Sequence, residues 1–436
     1  MQSTIVLDAG SGSVKAGCSS ANAPAFLPSL AGRAKYKPLF QSAPAPAVVA
    51  VGNEIADRRG LLHLSYPIQH GTIVDWDAWQ LLLQQLEQRL DTPFADRDVF
   101  WVEHPFSSRP QRARVAQILF EEKQAAGMCV GVAPLLSLYA TGQTTGIVLD
   151  VGEGVSSVAA AVQGYAVTEM MQREDFGGGA VTQYLQRLLR EYGSYNTCSG
   201  NSGGGTNATV VRSFNPSRCG AERELVRAIK EQRCEVSPHP VPTSTGAAVV
   251  TGVAGGGGGS IVRGAGDADE LFSSNNNSRN DAAFLNLAHA VATAAPKRHR
   301  LPDGTELTLG HELLQAPEVL FSPALIGKEH VGLAGIVADA VRVADVELRA
   351  ELCQHVYLTG GTTLLQGFGQ RFLTELLQLT PRDCKVRVAA PAERSHTAWL
   401  GAAFLARLST FQQQMVVSRA AFMEEGERAL HARLVG

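Results

Sequence analysis

Apolar positions along this chain gather into short runs that alternate with polar, helix-patterned stretches, and one run occurs twice. Ile5-Val6-Leu7-Asp8-Ala9-Gly10-Ser11-Gly12 returns as Ile147-Val148-Leu149-Asp150-Val151-Gly152-Glu153-Gly154. In each copy a β-branched stretch predicts a buried strand that ends in a carboxylate and then in glycines. Between the copies, Val99 to Glu103 reads as a strand. Residues 109–123 read as a helix, with Val115, Ile118 and Leu119 at helical spacing, and residues 134–139 as a helix with proline in its first turn. Residues 221–233 show the same helical period, with Leu225, Val226 and Ile229 on the apolar side. Val356-Tyr357-Leu358-Thr359-Gly360-Gly361-Thr362-Thr363 repeats the strand-then-glycine logic a third time.

The pattern lapses in two places. Residues 197–217 contain Ser199-Gly200-Asn201-Ser202-Gly203-Gly204-Gly205, and a longer tract from Cys234 to about Arg300 contains Gly255 to Gly259 and Asn275-Asn276-Asn277. Such segments bury too little apolar area to offset the cost of ordering a chain, about 1–2 kcal/mol per residue. Loops or disorder are expected there, with residues 281–292 as one short helix. Lys297-Arg298-His299-Arg300 reads as a solvated basic loop, with a minimal nuclear signal as the sharper alternative.

Length and composition narrow the class. The chain has 436 residues, more than one hydrophobic core usually serves, so at least two lobes are expected. A net charge of -3 gives no electrostatic footprint for nucleic acid, and no direct nucleic-acid partner is expected. Met1-Gln2-Ser3-Thr4 is not followed by the pattern of a secretory leader, and no apolar stretch of about 18 residues occurs. A soluble protein, neither secreted nor inserted in a membrane, is expected. The seven cysteines are odd in number and lack Cys-x-x-Cys spacing, so reduced thiols are the expectation, and the histidines show no metal spacing.

The repeated carboxylate-glycine run points to a clamp for a polyphosphate. Backbone N–H groups of Gly10, Ser11, Gly12, Ser13 and Val14 suit one end of a phosphate chain, and Lys15 adds a point charge. Asp8 and Asp150 suit magnesium, which keeps several waters and takes one or two carboxylates beside substrate phosphates, so contact through water is expected. One Asp-x-Gly-x-Gly alone is an ordinary strand and turn; the second copy after the same strand is what makes the reading specific.

The chain as a whole resembles the actin family. Beyond the three glycine loops, Tyr66-Pro67-Ile68-Gln69-His70-Gly71 with Asp75-Trp76-Asp77, Leu136-Ser137-Leu138-Tyr139-Ala140, Leu301-Pro302-Asp303-Gly304, Ala390-Pro391-Ala392-Glu393-Arg394 and Leu408-Ser409-Thr410-Phe411-Gln412 look like actin segments in actin order. The resemblance implies an α/β fold of two lobes, each a mixed five-stranded sheet flanked by helices, around a central cleft that holds ATP or ADP with magnesium. It implies a first lobe over residues 1–140 with a small outer subdomain at 34–70. The second lobe would run over 141–410, with an outer subdomain at 180–300 that carries insertions at 197–219 and 236–300. Residues 411–436 would be helices returning to the first lobe.

By the same resemblance, Asp8, Ser11, Lys15, Asp150, Gly152, Glu153, Gly154 and Val155 contact phosphate and metal. Arg227, Lys230, Glu231, Gly360, Gly361 and Thr362 match nucleoside-lining positions. On the residues alone, Lys230 and Glu231 read as an exposed helix face. Two departures bear on chemistry. Ala133 stands where the family usually has a glutamine, and Ser157 where it usually has a histidine, the two groups that orient the attacking water. Loss of such groups costs on the order of 10²-fold in rate, so nucleotide binding with weak or absent hydrolysis is expected and no catalytic residue is nominated.

Arg59-Gly60-Leu61-Leu62, Tyr139-Ala140-Thr141-Gly142 and Leu365-Gln366-Gly367-Phe368-Gly369-Gln370-Arg371 resemble the actin-related branch that builds the short filament of dynactin. Residues 38–50 occupy the place of the loop that grips the next subunit, and Pro38, Pro44 and Pro46 imply an altered grip. The resemblance thus implies a cytoplasmic, cytoskeletal subunit whose partners are copies of itself, other actin-like subunits and dynactin-type components. A non-filamentous subunit of a nuclear chromatin-remodelling complex is the alternative. A sugar-kinase-like phosphotransferase is a third reading, for which the sequence offers no catalytic base beside an acceptor pocket.

Overall fold

Ile5–Ala9, buried at every position, pairs antiparallel with Ser13–Cys18 and parallel with Asp98–Glu103, which pairs parallel with Gly127–Val132. The computed structural model describes residues 3–36, 50–192, 194–197, 210–213, 220–241, 297–301, 304, 306–381, 384–432 and 434–435. In it this first sheet has seven strands. Ala25–Pro28 lies at one edge, and Val417–Ser418 and Leu434–Val435 both add to Gly127–Val132 at the other.

The second sheet repeats the plan. Gly146–Val151 pairs antiparallel with Ser156–Val162 and parallel with Val356–Thr359, and shorter strands extend the sheet to six. Both sheets are mixed and flanked by helices, in accord with the expected fold class. They exceed five strands because short segments such as Val388–Ala389 and Leu434–Val435 lie far along the chain from the strands they join, where no local pattern announces them.

Each sheet carries its own core. In the first lobe Trp79 and Trp101 meet edge to face at 5.9 Å, with Leu82, Leu83 and Phe120 around them. In the second, Phe368 and Phe372 stack beneath Leu358 and Val337. Trp399, fully buried in helix Thr397–Leu405, donates its indole N–H to the Val6 carbonyl at 3.2 Å and anchors that helix on the first strand. The expected helix over 109–123 starts at Ser108, whose side chain accepts from the Gln111 N–H, and runs as an α-helix to Gln117 before a π turn over Ile118–Glu122.

Two expectations need correction. Val210–Ser213, inside the tract read as loop or disorder, pairs antiparallel with Ser194–Thr197, which in turn pairs with Glu306–Leu309. The basic cluster Lys297–Arg300, read as a solvated loop, is the edge strand of that four-stranded sheet. Backbone pairing drives both, and composition does not report it. The cluster also gains from register: Arg300 lies directly opposite Glu306, and Lys297 reaches Glu235 at 2.5 Å. The expected helix at 281–292, the loop at 38–49 and the centres of both polar tracts lie outside the described residues.

Candidate functional site

The hairpin register builds the site from its first pair. Asp8 and Lys15 are directly opposite across the antiparallel ladder, so both side chains emerge on one face. Lys15 Nζ donates to Asp8 Oδ2 at 2.6 Å, with both side chains mostly buried. Burial alone would depress the lysine; pairing with Asp8 outweighs it and raises its pKa. In the second hairpin the partner opposite Asp150 is Ser157, which offers no charge. Burial therefore pushes the Asp150 carboxyl up to about 7, against Lys15 and aided by Asp8.

The two hairpins face each other at close range. A Cβ on Gly12 would lie 2.9 Å from the Glu153 Cβ, and Gly154 backs onto Ser11, so side chains there would force the loops apart. Helix Gly220–Arg233 stitches them together. Lys230 Nζ donates to Glu153 Oε2 at 2.8 Å and to the Gly178 carbonyl at 3.0 Å, and Arg227 Nη1 reaches the Gly12 carbonyl at 3.3 Å. Despite its burial, Glu153 is held below the usual carboxylate range by Lys230 and Arg227. The third glycine loop closes the back: Thr362 Oγ1 donates to the Gly152 carbonyl at 2.7 Å, and Gly360 takes φ +90°, where a Cβ would press into the Val151 carbonyl.

A cavity of about 540 Å³ lies between these elements, well within the range of small-molecule sites. Every residue singled out from the sequence lines it except two. Val14 is buried in the first-lobe core and pairs with Ala9, because strand alternation turns it away from the face of Lys15. Ser157 is buried in the second sheet opposite Asp150 without reaching the cavity wall. Ala133, buried at the start of helix Ala133–Ala140, does line it and presents only a methyl group.

Sequence reasoning missed His104. It follows strand Asp98–Glu103, lines the cavity, and places Nδ1 4.0 Å from Asp150 Oδ2. Burial lowers its pKa to about 4, so the ring is neutral at ordinary pH. Its Nδ1 is buried and has no hydrogen-bond partner. The available signal was position: ligands of α/β sheets gather at the carboxyl ends of parallel strands, and His104 sits at that end of the strand beside Ile5–Ala9.

The residues present fit a magnesium nucleotide. Glycine backbone that a Cβ would obstruct, one lysine paired to a carboxylate, and a second carboxylate line the same cavity. Among the described residues no group of three or more histidine, cysteine or acidic side chains forms a closed metal cage. Asp8 and Asp150 would hold magnesium, which supplies positive charge to phosphate oxygens when bound.

Comparison with known proteins agrees with this geometry. The sequence model of the family described as Actin matches residues 1–435. A protein of Neurospora crassa described as "Actin-like protein" is 34% identical over 417 residues, covering 94% of this chain and 93% of the relative.

Proposed function

The chain belongs to the actin family, and on that premise we propose that it is an ATP-binding, actin-related subunit that forms or joins a short actin-like filament, with nucleotide serving mainly to hold the lobes together. Members of the family bind ATP or ADP with magnesium and assemble with actin-like subunits. The observation that carries the reading is the convergence of both carboxylate-glycine hairpins on one cavity, tied by Arg227 and Lys230 from a third element. A bound polyphosphate adds further ties to both hairpins, so it favours the closed arrangement in a way that needs no turnover.

Hydrolysis is slow in this reading. The methyl group of Ala133 cannot orient a water, and Ser157 lies off the cavity wall. The segments that resemble the branch building the short filament of dynactin support a cytoplasmic, dynactin-type assembly in microtubule-based transport. Among the described residues no helix is long and apolar enough to cross a membrane. Titration of the full chain with magnesium ATP, followed by sedimentation with and without nucleotide, tests the core of this reading. Saturable binding with nucleotide-dependent pelleting is expected; well-folded protein that takes up no nucleotide overturns it.

A further inference from the structure

Among the described residues few buried side-chain polar atoms lack a hydrogen-bond partner, and two of them, His104 Nδ1 and Ser157 Oγ, flank the same carboxylate. Asp150 lies 4.0 Å from the first and directly across the ladder from the second. A gap of 4.0 Å is too long for a direct hydrogen bond, whereas a water with two legs of about 2.8 Å spans it. Only the histidine of this pair lines the cavity.

We propose that His104 and Asp150 hold a water between them at the cavity wall, and that His104 is the residue that positions water for the slow nucleotide hydrolysis of this cleft. The inference rests on the nucleotide reading above. An imidazole nitrogen exchanges a hydrogen bond with a water, so the ring both orients that water and satisfies its own buried, unpartnered Nδ1. The ring is also held in place. Its Cδ2 lies 2.9 Å from where a Cβ on Gly71 would be, and the next residue's carbonyl, Pro105, accepts from Arg173 Nη1 at 3.3 Å. Arg173 Nη2 meanwhile grips the His70 carbonyl at 2.6 Å, so one arginine ties the segment after His104 to the segment at His70.

In the step so positioned, the water oxygen bonds to the γ-phosphorus as the bond from that phosphorus to the β,γ-bridging oxygen breaks. The bridging oxygen keeps the electron pair, ADP leaves, and the water proton passes to a phosphate oxygen, giving ADP and inorganic phosphate. His104 gains and loses no net proton; its part is orientation.

The test compares H104A and H104Q with the natural full chain in three measurements: phosphate release, magnesium ATP affinity, and the gain in magnesium ADP affinity on adding aluminium fluoride. In H104A, release should fall about 100-fold, ATP affinity should stay within about threefold, and the aluminium fluoride gain should vanish. H104Q, similar in size and able to hold a water, should recover at least about tenfold of the loss. If natural turnover is too slow to follow, the aluminium fluoride gain decides alone. Unchanged release or an unchanged gain in H104A overturns the role of His104 while leaving nucleotide binding intact. A natural chain that binds no ATP overturns the cleft reading and this inference with it.

Discussion

Tyr66 Oη donates to Glu224 Oε1 at 2.6 Å, joining the segment after strand Leu62–Ser65 to helix Gly220–Arg233, whose Arg227 and Lys230 line the cleft. The Arg223 guanidinium lies 4.6 Å over the same tyrosine ring, so one aromatic side chain is held both at its hydroxyl and on its face. Hydrogen bonds to charged groups contribute about 1.5–3 kcal/mol. Y66F should therefore speed release of a fluorescent ATP analogue about tenfold or more, read by stopped-flow displacement. An unaltered release rate would show that this link is not what retains nucleotide.

Lys230 and Glu153 form a largely buried pair. Removing the cation in K230M strands a buried carboxylate, a change that costs about 3–5 kcal/mol. The pH dependence follows in sign. Glu153 is held below its ordinary value of 4.5, so its contribution is present above that value and is lost as pH falls through the lower folded one. Urea midpoints between about pH 3 and 7 should show this acid loss in the natural chain, and K230M should flatten or reverse it.

Gly360 and Gly361 separate strain from site occupancy. G360A meets a left-handed backbone and the Val151 carbonyl, and should cost at least about 1–3 kcal/mol in chemical denaturation. A Cβ on Gly361 meets nothing within 4 Å, and the residue lines the cavity. G361A should leave stability within about 0.5 kcal/mol yet weaken nucleotide binding roughly tenfold. Equal stability losses in both variants would contradict this division.

Ala133 offers a direct test of the slow turnover proposed above. A133Q places an amide where a methyl group now lines the cavity, and phosphate release should rise roughly tenfold. A rate that stays flat while ATP affinity is unchanged would mean that water is not limited at this wall.

Much of the fold and most of the cleft were legible because their signals are local. Ile5–Ala9 and Gly146–Val151 announce themselves by uninterrupted apolar runs, and the glycines that follow mark where backbone comes close. What was hidden depends on partners far along the chain. Val210–Ser213 has a polar setting that masks a strand until Ser194–Thr197 lies beside it. His104 becomes a cavity residue only because its strand runs parallel to Ile5–Ala9 and ends at the same edge. Val14 enters the glycine loop by its backbone alone: the alternation of the strand begins at Ser13 and turns the Val14 side chain into the first-lobe core. Ser157 likewise faces Asp150 inside a sheet, a relation that register fixes and sequence position does not.

The first sheet receives Val417–Ser418 and Leu434–Val435 on its Gly127–Val132 edge. A nascent chain emerging from the ribosome therefore carries an unfinished, exposed β-edge through the whole synthesis of the other lobe. Pairings between such distant segments form slowly, and open edges invite aggregation meanwhile. Efficient production of this protein in cells should accordingly depend on a chaperone that shields the incomplete lobe until its last strands arrive.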